Sequence, residues 1–440
     1  MAEMSNWYGS IPDTWKVVSF NQSVRRMATG LNPRENFALS KTDEFYYVTI
    51  RNFKDNQLFL DDNCDRISRE AWEIIQARSD LHKGDILFAS ISKDGQAYLL
   101  NADPINWNIN ESVFCIRVDE KLFNNRYFRY EITNIGFYSD LLLDATGTTF
   151  KSIKQNKLRQ SKLISPLLSE QHAIADYLDT RCSKIDEIIA EATASIEEYK
   201  ELKQAVIFEA VTKGLDKNAL MKDSGIKGWG QIPYTWKCIR MKNLIMSISS
   251  GLSAITSDNN SDESGLYVLR TSAVSTGEFK PDEVKSVLKN AIDRLVCPVK
   301  KNTIVMSRMN TAKMVGYCAF IDKDYDGYYL PDKLWRIETQ ARALPKYIWY
   351  LINSNACHNH FASIATGTSA SMINITINDL MSLIVAIPDV EIQQEIINYL
   401  DLRVGEMDSL ISEKQDLIND LQAYKKSLIY EVVTGKRRVV

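Results

Sequence analysis

The feature that most constrains this chain is an internal repeat. Residues 9–16 read Gly-Ser-Ile-Pro-Asp-Thr-Trp-Lys, and residues 230–237 read Gly-Gln-Ile-Pro-Tyr-Thr-Trp-Lys, at an offset of 221. Residues 177–181, Tyr-Leu-Asp-Thr-Arg, return at 399–403 as Tyr-Leu-Asp-Leu-Arg, at an offset of 222. Self-similarity at one spacing predicts two similar domains in a pseudo-twofold symmetric pair. Such a pair suits a target that has two separated halves.

Composition excludes several classes of protein. With 45% hydrophobic and 25% charged residues the chain is typical of globular proteins, and no apolar run reaches the ~18 residues of a membrane span. The amino terminus lacks the pattern of a secretion signal. The seven cysteines are widely spaced, without a Cys-x-x-Cys pair. We therefore expect a cytoplasmic protein with reduced thiols.

Charge is distributed unevenly along the chain. Residues 169–213 hold ten acids and five bases, and residues 391–435 hold nine acids and four bases. Because the whole chain carries −3, the remainder carries a surplus of seven positive charges. Such a separation is more informative than the total, and it gives modest support for binding a polyanion.

The two acidic segments have the periodicity of a coiled coil. Apolar residues recur at alternating steps of four and three, which is the seam of a heptad repeat. Lys203 and Lys425 interrupt the seam at equivalent positions, where a lone polar residue commonly fixes register. We expect two long helices that form an antiparallel intramolecular coiled coil. The predicted seam comprises Leu178, Ile185, Ile189, Ile196 and Val206 in the first helix, and Leu400, Met407, Ile411, Ile418 and Leu428 in the second.

The segments between these helices are mixed in character. Short β-rich runs bounded by Gly, Asn and Asp predict a twisted sheet in each, and each adds one probable helix, over residues 123–143 and 345–364. The fold class is therefore α+β. The predicted domains are a first mixed domain at 1–168, a long helix and linker at 169–216, a second mixed domain at 217–390, and a second long helix with its tail at 391–440.

A further repeat is suited to contact with a phosphate backbone. Residues 145–150, Ala-Thr-Gly-Thr-Thr-Phe, match residues 365–370, Ala-Thr-Gly-Thr-Ser-Ala. A glycine between hydroxyl side chains exposes backbone N–H donors that suit phosphate oxygens. Residues 145–164 also carry five bases and no acid. We nominate Thr146, Gly147, Thr148, Lys151, Lys154, Thr366, Gly367 and Thr368 for DNA contact, the alternative being a glycine turn that serves only the backbone.

Taken in order, these elements resemble the specificity subunit of Type I restriction–modification systems. The resemblance rests on the Gly-x-Ile-Pro-x-x-Trp motif, the mixed domain, the Thr-Gly-Thr loop, and a proline followed by Glu-Gln before a long helix. It covers essentially the whole chain. It implies two target recognition domains, each reading one half of a bipartite duplex DNA site, on a helical rod that sets their spacing. It also implies two modification subunits as partners, together with restriction subunits.

Candidate base-reading residues follow the predicted strands, where polar loops commonly carry function. Arginine suits guanine and asparagine suits adenine as bidentate partners. On this basis we nominate Arg51, Asn52, Ser90, Ser92 and Lys93 in the first copy, and Arg270, Thr271, Ser272, Arg308, Asn310 and Lys313 in the second.

Catalytic motifs are missing from the sequence. An amino-methyltransferase would need Asn/Asp-Pro-Pro-Tyr/Phe, and no Pro-Pro occurs; a motor ATPase would need Gly-x4-Gly-Lys-Ser/Thr, which is also absent. Cys357, His358 and His360 have no second pair of metal ligands. We therefore expect no catalytic residue, metal or cofactor in this chain. S-adenosylmethionine, ATP and Mg²⁺ are expected on the partner subunits.

A protein of another class fits the same sequence. A coiled-coil scaffold joining two protein-binding domains would share the helices and the repeat. A fused restriction–modification enzyme is a third possibility, against which the missing motifs argue. Salt-dependent affinity for duplex DNA separates the first two, because neutralised phosphates release counterions.

Overall fold

The chain folds into two units of similar construction. A computed structural model describes residues 7–34, 36–92, 94–143, 151–253, 256–257, 265–311, 314–369 and 372–439. The first unit contains Met1–Thr193 with Gln415–Val440, and the second contains Ala194–Lys414. Both boundaries fall inside long helices. Each unit therefore holds one mixed region together with part of each helix.

Two sheets form the mixed region of the first unit. Its strands are β1 Lys16–Ser19, β2 Val24–Thr29, β3 Phe45–Val48, β4 Phe53–Lys54, β5 Gln57–Leu58, β6 Arg66–Ile67, β7 Ile86–Ala89, β8 Ala97–Leu99, β9 Trp107–Ile109, β10 Val113–Val118 and β11 Lys162–Ser165. An antiparallel sheet has the order β2-β10-β7-β8, and a smaller sheet has the order β6-β3-β9 with β3 and β9 parallel. β1 pairs with β11, and β4 with β5.

The second unit repeats this topology. Its strands are β12 Met221–Asp223, β13 Gln231–Pro233, β14 Lys237–Arg240, β15 Ile245–Ser250, β16 Thr256–Ser257, β17 Tyr267–Leu269, β18 Val284–Val287, β19 Thr303–Ser307, β20 Met309–Asn310, β21 Cys318–Ile321, β22 Tyr328–Tyr329, β23 Leu334–Thr339, β24 Thr366–Ser369, β25 Met372–Asn374 and β26 Ile384–Ile387. The sheets β15-β23-β19-β21, β16-β18-β17-β22 and β14-β26 correspond to sheets of the first unit, and β12-β13 and β20-β25-β24 are additional.

The helices differ from the sequence prediction in both units, which also contain short helices that the sequence analysis did not predict. They are α1 Phe20–Ser23, α2 Arg69–Ser79, α3 Asn125–Thr133, α4 Ile135–Leu143, α5 Gln155–Gln160, α6 Leu168–Lys213, α7 Pro345–Ile352, α8 Asn355–Ile364, α9 Ile377–Ser382 and α10 Val390–Val433. The single helices predicted over 123–143 and 345–364 were wrong, because each is two helices. Asn134 is buried with extended backbone, and its side chain accepts a hydrogen bond from the Phe137 N–H at 3.0 Å, which starts α4 afresh.

The two long helices, α6 and α10, pair antiparallel as predicted. In the first unit Lys425 Nζ donates to both carboxylate oxygens of Asp186, at 2.6 and 2.7 Å. In the second unit Lys203 Nζ donates to both oxygens of Asp408, at 2.6 and 2.8 Å. Lys203 and Lys425 are the predicted seam interruptions, and Asp186 and Asp408 are likewise separated by 222 residues. The same ion pair is thus made twice.

The predicted seam residues lie inward. Leu178, Ile185, Ile196, Leu400, Met407, Ile418 and Leu428 are buried, and Ile189, Val206 and Ile411 are half-buried. In the first unit, seam residues of α6 and α10 share one core cluster with aromatic side chains of the mixed region, such as Tyr127 and Phe128. Apolar residues of both helices join the mixed-region core of the second unit in the same way. Each mixed region is therefore built onto the helix pair.

A buried glutamine fastens each mixed region to its long helix. Gln171 Nε2 donates to the carbonyl oxygens of Leu122 and Pro166 at 2.9 and 3.0 Å, and its Oε1 accepts from the Asn124 N–H at 2.8 Å. Gln393 makes the same three bonds, to Arg342 O, Pro388 O and Leu344 N, all at 2.9 Å. Both side chains are fully buried. This pair is called the glutamine clamps below.

Two further properties concern membrane-spanning helices and the state of the cysteines. None of the helices in the described parts of the chain combines the length and the apolar character that crossing a bilayer requires. All seven cysteines are free thiols, and all except Cys238 are buried.

Candidate DNA interface

Two of the nominated loops meet in each unit. In the first unit the Ile153 N–H donates to Ser90 O at 2.9 Å, which places the segment of Lys151 and Lys154 beside the end of β7. In the second unit the Ile375 N–H donates to Arg308 O at the same distance, beside the end of β19. The loop that follows the central strand and the segment that follows the Thr-Gly-Thr loop therefore lie together in both units.

The second unit builds this junction as a small sheet. β25 pairs on one side with β20, where Asn310 lies opposite Ile373, and on the other with β24, where Thr366 lies opposite Asn374. β25 thus lies between the strand that contains Asn310 and the strand that contains Thr366, two residues nominated from separate parts of the sequence. Arg308 is half-buried, and its Nε donates to Asp332 O at 3.1 Å.

The other nominated residues differ in how free their side chains are. Arg51 is exposed, and its guanidinium pairs with none of the described residues. The Asn52 amide is occupied internally, since it accepts from Thr49 N at 2.8 Å and donates to Phe59 O at 3.2 Å. A base contact by Asn52 would have to replace these bonds.

Several other nominated residues are also buried or hydrogen-bonded within the protein. Ser90 is buried, and the Ser92 hydroxyl lies 2.9 Å from the Tyr138 hydroxyl. Ser272 Oγ donates to Glu283 Oε2 at 2.6 Å, and Arg270 Nε donates to Val284 O at 3.1 Å. These internal hydrogen bonds shape the loops and occupy the polar groups that form them. Thr271 lies in the same short turn as Ser272, Gly367 and Thr368 lie in β24, and Lys93, Thr146, Gly147, Thr148 and Lys313 lie outside the described residues.

Basic charge is concentrated on the junction of the first unit. Lys151 and Lys154 are exposed and make no ion pair with the described residues. Lys154 precedes α5, which adds Lys157 and Arg159, and Arg159 is held by Asn21 Oδ1 at 3.0 Å. The counterpart α9 of the second unit instead begins with a capping box between Thr376 and Asp379. A cationic surface next to polar loops suits a phosphate backbone.

Two glycines beside these loops were missed from the sequence. Gly30 and Gly251 follow β2 and β15, and a Cβ on either would lie 1.6 Å from a backbone carbonyl oxygen, of Ile109 and Leu330 respectively. Their N–H groups donate to Asn110 O at 3.1 Å and to Pro331 O at 3.3 Å. The signal was available, because Thr-Gly-Leu at 29–31 returns as Ser-Gly-Leu at 250–252, at the 221-residue offset. These close approaches hold the next loop, with Asp332 and Lys333, against Arg308.

The Cys-His-x-His stretch at 357–360 has no geometry for a metal. Cys357 is buried in the second-unit core, and the His358 ring lies against Tyr317 with centroids 3.7 Å apart and an angle of 48° between the ring planes. Burial lowers the pKa of His358 to about 4, so its imidazole is neutral at pH 7. His360 is exposed. Within the described residues, no group of three or more His, Cys, Asp or Glu side chains is placed to hold a metal ion.

The outer faces of the long helices carry exposed apolar residues in matched pairs. Ile188 and Tyr424 belong to the first unit, and Leu202 and Leu410 to the second; all four are exposed. Ile188 corresponds to Leu410, and Leu202 to Tyr424, at the offset of 222. All four occupy the heptad position just before an inward residue, which flanks the seam on one side of an antiparallel pair. This set is called the flanking apolar pairs.

Comparison with known proteins gives a consistent result. The family model described as Type I restriction modification DNA specificity domain matches residues 12–198 and again 233–419. The chain is 21% identical over 435 residues to the Type I restriction enzyme EcoKI specificity subunit of Escherichia coli strain K12, covering 97% of this chain and 90% of that one. It is 21% identical over 334 residues to the EcoBI specificity subunit of Escherichia coli, covering 74% and 69%.

A solved structure has the same fold. One chain from a study of complex assembly and conformational transition of the type I R-M system superposes with a TM-score of 0.66 at 14% identity, over 97% of this chain and all of that one. Each matched region covers one mixed region and the first part of the long helix that follows it, in agreement with the repeat found in the sequence.

Proposed function

Because the chain belongs to the Type I restriction–modification DNA specificity family, we propose that each unit reads one half of a bipartite duplex DNA target and that the chemistry belongs to partner subunits. The observation that carries this proposal is the duplicated junction, in which the loop after the central strand meets the segment after the Thr-Gly-Thr loop. Because the exposed side chains at the two junctions differ, the two half-sites differ and the whole target is asymmetric.

Base reading falls to Arg51 in the turn after β3 of the first unit and to polar side chains at the junction of the second unit. The exposed Arg51 guanidinium of the first unit pairs with none of the described residues and can donate to guanine O6 and N7 in the major groove. In the second unit Asn310 and Thr366 flank β25, where an amide and a hydroxyl can take base edges or phosphate oxygens. Lys151 and Lys154 supply phosphate contacts.

The locked helix pair sets the separation of the half-sites. α6 and α10 each contribute to both units, and their register is fixed by the two Lys–Asp pairs. A fixed register keeps the reading surfaces at a constant separation, on the order of one ~34 Å turn of DNA. The bases between the half-sites are then spanned without being read.

The flanking apolar pairs are the proposed docking surface for two modification subunits. Exposed apolar side chains on a helix surface suit burial against a partner protein. Because the pairs are duplicated at equivalent positions, they suit two copies of one protein. Restriction subunits join the same complex. S-adenosylmethionine, ATP and Mg²⁺ bind the partners, and the assembly works on DNA in the cytoplasm.

Removal of two lysines from the first junction tests the DNA role. We expect Lys151→Ala/Lys154→Ala to lower the salt dependence of duplex binding, because each lost phosphate contact removes about 0.9 from the slope of log K against log salt, or about 1.8 for the pair. Affinity should fall about equally for all sequences. Fluorescence anisotropy of a labelled duplex between 50 and 300 mM salt, roughly the range over which such slopes are resolved, measures both.

The matched control removes the same charge elsewhere. Lys184→Ala/Lys217→Ala takes one exposed lysine from α6 and one from the segment that follows it, and its slope should equal that of the unaltered chain. Equal slopes for both double variants would place the phosphate contacts elsewhere. Undetectable binding of the unaltered chain to duplex DNA at every salt concentration, alone and with its partners, would favour the protein scaffold.

A further inference from the structure

The two Lys–Asp pairs do not distinguish α6 from α10. Each helix carries one lysine of a pair and one aspartate of the other, Lys203 with Asp186 on α6 and Lys425 with Asp408 on α10. Since these positions coincide at the offset of 222, an antiparallel pair of two α6 helices from two chains would also place each Lys203 against Asp186. The same holds for two α10 helices. The ion pairs thus fix antiparallel register and leave the choice of helix open.

One contact across the seam does distinguish the helices. In the second unit Lys414 Nζ lies 6.0 Å from the centroid of the Tyr199 ring, and both side chains are half-buried. The positions equivalent to Tyr199 and Lys414 at the offset of 222 are Leu421 and Ala192. A pair of α6 helices would contain the tyrosine without the lysine. A pair of α10 helices would set each Lys414 against Leu421, a cation against an apolar side chain.

We propose that Tyr199 and Lys414 are the residues that make α6 pair with α10 and disfavour pairing between like helices. Exchange between two chains would replace two α6–α10 pairs by one pair of each like kind. That exchange loses two cation–π contacts and desolvates two lysines without a partner. A single polar residue at a seam position specifies the partner in coiled coils in this manner.

The consequence for function rests on the proposed reading of two half-sites. A helix pair that always joins α6 to α10 gives every assembly one first unit and one second unit. Pairing of like helices would instead bring together two copies of the same recognition domain. Tyr199 and Lys414 are therefore positioning residues for an asymmetric target, and they need contact no DNA.

A disulfide reporter tests the pairing without reference to DNA. Cys182 of α6 shares a buried cluster with Leu428 of α10, and the α6 residue equivalent to Leu428 is Val206. In the full-length Val206→Cys chain, the Cys182 thiol can meet the introduced thiol at position 206 only across two α6 helices from different chains. Oxidation with copper phenanthroline then yields a covalent dimer on a non-reducing gel. The same chain with Cys182→Ser gives the background.

Two variants of this reporter chain test whether Tyr199 and Lys414 disfavour the pairing of like helices. Tyr199→Leu/Lys414→Ala makes the two seams alike, and we expect the covalent dimer to increase at least about fivefold. Adding Ala192→Lys and Leu421→Tyr to these changes moves the tyrosine–lysine contact to the equivalent place in the first unit. This transplanted variant should return the dimer to its original level.

The outcomes separate the proposal from general destabilisation and from the DNA role. Equal dimer in the unaltered and the symmetrised seam would overturn the proposal. A transplanted variant that dimerises as much as the symmetrised one would also overturn it, because weakened packing would then explain both. If the chain did not bind DNA at all, the cross-linking result would be unaffected.

Discussion

The Gly251→Ala chain is expected to lose about 3 to 5 kcal/mol of the unfolding free energy of its second unit, at the upper end of the range for single substitutions. The added Cβ would lie 1.6 Å from Leu330 O and 2.5 Å from Leu330 C, which are backbone atoms that cannot rotate away. The strand end and the loop of Asp332 and Lys333 must separate, which also displaces Arg308. Denaturant unfolding followed by circular dichroism measures the loss.

Two companion variants show whether the cause is this close approach. Gly30→Ala should produce the same loss in the first unit, because its Cβ would lie 1.6 Å from Ile109 O. Gly405→Ala is the matched control, since Gly405 lies inside α10 with nothing within 4 Å of the added atom. It should gain about 0.5 to 1 kcal/mol, the ordinary advantage of alanine over glycine in a helix. A Gly251→Ala chain as stable as the unaltered one would contradict the close approach of Gly251 to the Leu330 carbonyl.

Replacement of Gln393 by alanine should cost about 3 to 4 kcal/mol in the second unit. It removes three hydrogen bonds at once, of which the bond to Pro388 O is buried and those to Arg342 O and the Leu344 N–H are partly buried. Each unsatisfied buried group costs about 1 to 3 kcal/mol, and groups that share one partner do not add fully. The same unfolding measurement applies.

The neighbouring residue gives the control for this clamp. Gln394 is exposed and, among the described residues, donates only to Asn398 within α10, so Gln394→Ala should stay within about 0.5 kcal/mol of the unaltered chain. Gln171→Ala should match Gln393→Ala, because its side chain makes the same three bonds in the first unit. A loss below about 1 kcal/mol for either clamp, by contrast, would mean that the mixed regions are held to the long helices by apolar packing alone.

The parts of the fold that follow from local pattern were predictable. The heptads, with Leu178 and Ile185 on α6 and Leu400 on α10, are properties of neighbouring residues within each helix, and they predicted both long helices. Lys203 and Lys425 were recognised as seam interruptions that fix register, although their partners Asp186 and Asp408 were not. Those partners lie more than 200 residues away in sequence, and nothing local links them.

The site was less predictable for the same physical reason. Short β-rich runs located the strands that precede Ser90 and Arg308, and the repeat located the Thr-Gly-Thr loops. Whether a polar side chain after a strand faces DNA depends on tertiary hydrogen bonds, such as those that occupy Asn52 and Ser272. The break at Asn134 depends on its burial, which an apolar helical period does not reveal. The contribution of Gly30 and Gly251 depends on a carbonyl some 80 residues away.

The most direct test of the central claim is to map methylated DNA sites in cells that express this chain with its modification subunit, against cells that lack only this chain. Two different recognition units on one locked helix pair predict a single new motif, which has two unequal specific halves separated by a gap of fixed length. A continuous motif would contradict reading by two units. No new motif, with the modification subunit shown to be active, would contradict the role of this chain in DNA recognition.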